Sequence, residues 1–116
     1  MKVILQLFSR LWRFIFSEYG SRTPISFGEA LGDIRAAKRF SQERVCRRIN
    51  ICFTRCGRRS IARDTISHWE NNRRIPKSFK VTEIDLIADA LKCSDQERAK
   101  LHLSFLYTVW VEYQNG

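Results

Sequence analysis

Apolar residues recur every three or four positions through most of the 116-residue chain, the period of helices with one buried face. Over residues 2–18, Lys2, Gln6, Ser9, Arg10, Arg13 and Ser17 share one side, and Ile4, Leu5, Leu7, Phe8, Leu11, Trp12, Phe14, Ile15 and Phe16 fill the other. An amphipathic helix is expected there, ended by Gly20 and Pro24 in the linker "GSRTP". Ser26, a good N-cap, precedes "FGEALGDIRAAKRF", which predicts a helix with Phe27, Leu31, Ile34 and Ala37 facing inward. Ser41 opens a second, "QERVCRRINICF", where Val45, Ile49 and Phe53 fall at i, i+4 and i+8. The stretch "RCGRRS", punctuated by Gly57 and Ser60, is expected to be a basic loop.

A third helix is predicted from about Ala62 to Asn71, with Ile66 and Trp69 as its apolar stripe. Pro76 blocks its continuation and disfavours helical geometry at Ile75. "VTEIDLIADAL" at 81–91 reads as a fourth, apolar at Ile84, Leu86, Ile87, Ala90 and Leu91. In "SDQE" at 94–97, Ser94 and Glu97 form a capping box that starts a fifth, apolar at Leu101, Phe105, Tyr107, Val109 and Trp110. Neither a hairpin signal nor an internal repeat occurs, so the expected fold is all-α. Its expected parts are an N-terminal helix and linker over 1–24, a helical body over 25–93, and a C-terminal helix over 94–116 for packing or dimerisation.

Charge changes the picture from a bland bundle to a binding protein. Lys and Arg number 21 against 12 acidic residues, for a formal charge of +9. The excess is local: residues 42–80 carry 11 basic and 3 acidic side chains, whereas 81–116 carry 3 and 6. A concentrated basic field suits a phosphate backbone or an anionic membrane surface, while a solubilising charge would be mixed in sign. Nucleic acid is the leading partner on this ground alone.

Two stretches then narrow the class. "FGEALGDIRAAKRFSQERV" and "TISHWENNRRIP" resemble the lambda-repressor and Cro-like helix-turn-helix family. In that family Ser-Gln-Glu opens the second helix, and the recognition helix ends in a Trp-Glu run followed by Gly, a basic residue and Pro. The likeness spans about residues 26–93. It implies a helix-turn-helix bundle of about five helices preceded by the N-terminal amphipathic helix. Two departures stand out. The tight turn between helices two and three is replaced by "NICFTRCGRRSI", so helix two is expected to run about two turns longer and a basic loop to lead back to Ala62. Asn72 stands in place of the Gly, and Asn is the next-best residue for a left-handed helix end.

If the third helix enters a major groove, its N-terminal residues reach base edges. Arg63, Asp64, Ser67 and His68 are therefore the candidate base readers. Arg63 suits a guanine edge, worth about 1–3 kcal/mol of discrimination. Asp64 has two open roles: accepting from cytosine, or favouring the helix N-terminus and orienting Arg63. Gln42 matches a family position that touches DNA beside the recognition helix. Candidate phosphate contacts are Ser41, Asn71, Asn72, Arg73, Arg74 and Lys77, with Arg58 and Arg59 tracking the backbone from the inserted loop. The competing reading makes Arg73 and Arg74 simple helix C-terminal complements and Arg58 and Arg59 a solvated loop.

The remaining chemistry is sparse. Cys46, Cys52, Cys56 and Cys93 form no CxxC pair, so small buried side chains are favoured over zinc, and a reducing, cytoplasmic setting is expected. Nothing supports nucleophilic catalysis with His68 or His102, and the chain is not expected to be an enzyme or to hold a cofactor. The expected function is sequence-specific transcriptional regulation of bacterial or phage type, on double-stranded DNA, as a homodimer. The alternative is an antitoxin-like or adaptor module whose terminal apolar helices bind a protein partner. Leu103, Phe105, Leu106 and Trp110 make the C-terminal helix a dimerisation candidate. The N-terminal helix is expected to pack on protein rather than to lie on a membrane surface.

Overall fold

The computed structural model describes residues 25–71 and 79–115. Among them are five helices and no strand: α1 (Phe27–Ala37), α2 (Gln42–Arg55), α3 (Thr65–Glu70), α4 (Val81–Ala90) and α5 (Asp95–Asn115). The expected N-terminal helix, its linker and residues 72–78 lie outside the described residues. No described helix is long and apolar enough to cross a membrane.

Helix starts follow the caps. The Ser26 and Ser41 hydroxyls accept from the backbone N–H groups of Glu29 and Arg44, satisfying donors that a helix N-terminus leaves open. The Ser94–Glu97 capping box closes at 2.9 and 3.2 Å. Glu83 accepts from the Lys80 backbone at the start of α4. The apolar stripes then meet in one core: Phe27, Leu31 and Ile34 of α1, Val45, Ile49 and Phe53 of α2, Ile66 and Trp69 of α3, Ile84 and Ile87 of α4, Leu101 and Phe105 of α5. Rings in edge contact run from Phe105 through Phe27, Trp69 and Phe79 to Phe53, at centroid separations of 6.2, 6.0, 5.3 and 5.9 Å. This chain of aromatics joins α5, α1, α3, the approach to α4, and α2. Ala37 was expected inward but is exposed. It occupies the last turn of α1, just before the chain bends away through Arg39 in the left-handed region at φ 59°, and Ala30 is buried in the core instead.

The longer second helix is present: α2 has 14 residues and carries Phe53 into the core on its additional turns. Beyond Arg55 the chain turns through Gly57 at φ +72°, a conformation that suits glycine, and the Arg58 N–H closes on the Phe53 carbonyl at 2.8 Å. It then folds back along α2. Asn50 holds it there on both sides, its Oδ1 accepting from the Ile61 N–H at 2.7 Å and its Nδ2 donating to the Ile61 carbonyl at 3.1 Å. The Cys46 thiol lies 3.5 Å from the Ala62 carbonyl. That clamp keeps residues 61 and 62 out of helical geometry, so α3 starts at Thr65, three residues later than the sequence pattern suggests.

The fourth and fifth helices are joined by charge. Asp85 receives His102 Nε2 at 2.7 Å and Arg98 at 3.0 Å, and Arg98 also reaches Asp89. The His102 bond, with burial opposing it and Arg98 adding to it, holds the Asp85 carboxyl below its ordinary range. A lowered folded pKa means that this stabilisation is present above the ordinary carboxylate range, near 4, and is lost as pH falls through the lower folded value. The urea midpoint of Asp85→Asn is therefore expected to lie below the parent's at pH 7 and to approach it as the pH is lowered. A constant difference from pH 7 to pH 2.5 is the contrary result. Asn50→Ala removes both bonds to Ile61, and urea unfolding should show a loss of about 1–3 kcal/mol.

Candidate nucleic-acid interface

Helix α3 has six residues, too few to be stable alone, so its shape and direction come from what it packs on. Ile66 and Trp69 are buried below it. Glu70, at its end, accepts two bonds from Arg35 of α1, Nε to Oε2 at 2.6 Å and Nη2 to Oε1 at 2.8 Å. The side chains are only 22 and 13% exposed. The same guanidinium donates from Nη1 to the Phe40 carbonyl at 2.9 Å, which adds the α1–α2 turn to the assembly. Gln42 Nε2 reaches Glu70 Oε1 at 3.2 Å, so the first residue of α2 also registers on the end of α3. The forked, charge-assisted geometry fixes orientation as well as distance.

The other side of α3 faces outward. Asp64, His68 and Asn71 are exposed and Ser67 is half-buried. Asp64 occupies the N-cap position at φ −91° and ψ 0°, but its side chain makes no cap bond. Its carboxylate lies 3.6 Å from His68 Nε2, one turn on. Arg63, 85% exposed, has Glu43 of α2 at 3.8 Å as its carboxylate neighbour. Asn71 folds back, its Nδ2 donating to the Ser67 carbonyl at 2.8 Å. Ser41 is exposed at the α2 N-terminus, close to this surface through its neighbours Gln42 and Glu43.

The structure therefore gathers Ser41, Gln42, Arg63, Asp64, Ser67, His68 and Asn71 around one outward surface. Arg58 and Arg59 stand apart in the loop after α2. Arg58 is engaged with Glu83 of α4 at 3.3 Å and with the Cys56 carbonyl at 3.0 Å, while Arg59 is exposed with no carboxylate partner among the described residues. Asn72, Arg73, Arg74 and Lys77 lie outside the described residues. The cysteines are free and dispersed: Cys46 is buried, Cys56 exposed, and Cys52 and Cys93 intermediate. Burial and the nearby Glu97 carboxylate push the Cys93 thiol up to about 11.

Sequence reasoning assigned no role to Arg35, Glu70 or Asn50. The Glu70 signal was present in the Trp-Glu run, but the partner 35 residues upstream had no local mark. Arg48 was also missed; its Nε donates to the Ala90 carbonyl at 2.6 Å, satisfying the C-terminal end of α4.

The model of a family described as a helix-turn-helix domain matches residues 26–101, and the chain belongs to that family, of the Cro and C1 type. Membership implies DNA as the partner. No curated protein and no solved structure matches the chain.

Removing one member of the Arg35–Glu70 pair leaves the other part-buried and unpaired. Glu70→Ala should cost about 2–3 kcal/mol in urea unfolding. Glu70→Gln, which keeps the shape and one acceptor, should cost less. Equal stability of Glu70→Ala and the parent would show that the pair does not hold α3.

Proposed function

We propose that the protein is a sequence-specific DNA-binding transcriptional regulator of bacterial or phage type, acting in the cytoplasm as a homodimer and without a cofactor. The observation that carries this reading is the two-sidedness of α3. Its inner residues Ile66, Trp69 and Glu70 are fixed by the core and by Arg35, while Asp64, Ser67 and His68 are presented together on the outside. A recognition helix needs both properties, since base contacts are useful only from a rigid mount.

In this reading Arg63, Ser67 and His68 contact base edges, and Asp64 either accepts from cytosine or positions His68. Gln42 approaches the same bases from the start of α2. Ser41, Asn71, Asn72, Arg73, Arg74 and Lys77 hold phosphates on either side of the groove, and Arg59 extends the backbone contact. Arg58 joins it only by leaving Glu83. Phosphate contacts supply salt-dependent affinity and register but do not select sequence.

The dimer seam needs revision from the sequence expectation. Leu103 and Phe105 are buried at 7 and 4% exposure and are unavailable to a partner. Among the described side chains of α5, Trp110 is half-buried, and Leu106 and Val109, 45 and 43% exposed, are open to a second copy. The same two residues support the second reading, a protein-interaction module that retains the helix-turn-helix.

Selection from a random-site duplex library decides between them. A regulator enriches one motif. Arg63→Ala should relax one base position by about 1–3 kcal/mol, and Arg74→Ala should weaken all sequences alike. Failure of any motif to enrich rules out the regulator and leaves the interaction module standing.

A further inference from the structure

The arginines of α2 are distributed unlike the other cations. On α1 and α5 each cation has a carboxylate: Arg35 pairs with Glu70, Arg98 with Asp85 and Asp89, and Lys100 with Asp33. On α2, among the described residues, no carboxylate pairs with Arg44, Arg47, Arg48 or Arg55. The acid of this helix, Glu43, lies against Arg63 instead. Positions 44, 47, 48, 51 and 55 lie within a single arc of about 100° on an α-helix of 3.6 residues per turn. Arg44, Arg47 and Arg55 are exposed and Arg48 is half-buried. The guanidinium groups of Arg44 and Arg48 rest on the Phe40 ring at 4.7 and 5.1 Å, which restrains them on the surface.

From Arg44 to Arg55 the face runs for about 16 Å of helix axis. It is built of arginine alone among cations, the side chain whose planar fork matches phosphate. Its far end, Arg55, is the last residue of the lengthened α2. Ile51, 52% exposed, sits amid the arginines and is suited to the apolar face of deoxyribose. A second copy presenting the same face would oppose like charges, so self-association through it is disfavoured.

We infer that the outer face of the lengthened α2 is a second phosphate-binding surface, engaging duplex DNA backbone beyond the base pairs that α3 reads. This rests on the reading of the protein as a DNA-binding helix-turn-helix. In such pairs the first helix crosses the backbone, so lengthening it with arginines continues the track over further phosphates, which occur at one charge per about 1.7 Å of duplex axis. Arg47 and Arg55 carry the contact farthest from the groove.

The test compares the full-length protein with Arg47→Gln/Arg55→Gln by fluorescence anisotropy, on a labelled duplex across a potassium chloride series. Both positions are exposed and make no side-chain bond to the rest of the described protein, and circular dichroism checks that the fold is kept. Each lost phosphate contact lowers the slope of log K against log salt by about 0.9. The double variant should therefore lose roughly 2 from the slope, on selected and random duplexes alike, and Arg47→Lys/Arg55→Lys should recover most of it. An unchanged slope in a parent that binds DNA overturns this inference and leaves the DNA-binding reading intact. A parent that binds no duplex overturns both.

Discussion

The forked bond between Arg35 and Glu70 is the contact on which the functional geometry depends. A six-residue helix has no stability of its own. It becomes a rigid mount because its buried face sits on Phe27 and Phe79 through Trp69, and its last residue is held by a guanidinium from α1. Packing alone would let α3 roll about its axis. Two parallel hydrogen bonds from a planar fork, with Gln42 adding a third contact from α2, define the roll angle and so decide which side chains face outward. Arg35 also takes the Phe40 carbonyl, so one side chain sets the relation of three elements. Shielding of both partners from water strengthens the attraction and makes an unpaired partner costly.

Charge organises the rest of the molecule by zones. Cations of α1 and α5 are neutralised by neighbouring acids, which stitches helix to helix. Among the described residues, Arg44, Arg47 and Arg55 of α2 have no carboxylate partner and are exposed. Cations among the described residues are paired on α1 and α5 and left without carboxylates on α2, which makes the field directional, not uniform. Such a field attracts a polyanion and turns it toward the correct face before contact.

Much of this was legible in the sequence, for identifiable reasons. Serines 26, 41 and 94 announced three helix starts because capping is a local interaction between residues three apart. Val45, Ile49 and Phe53 disclosed the core face of α2 because the helical period is also local. Long-range hydrogen bonding was not legible. Asn50 looks like any polar helix residue, yet its two bonds to Ile61 delay the start of α3. Arg35 and Glu70 are common residues whose pairing depends on the crossing of α1 and α3. On α5 apolar residues occur around much of the circumference, so periodicity could not tell that Leu103 and Phe105 turn inward while Leu106 and Val109 stay outside. The surface of α3 was foreseeable as a set, but the partners of its members were not: Arg63 meets Glu43, and Asp64 meets His68.

The Asn50 clamp carries an evolutionary consequence. Because Ile61 is pinned to the third turn of α2 and Phe53 is anchored in the core, the excursion between them, residues 54–60, closes on itself. Insertions or deletions within it leave the aim of α3 unaltered, since nothing upstream of the clamp transmits a change of length. Lineages can therefore lengthen, shorten or recharge this excursion while α3 keeps its pose.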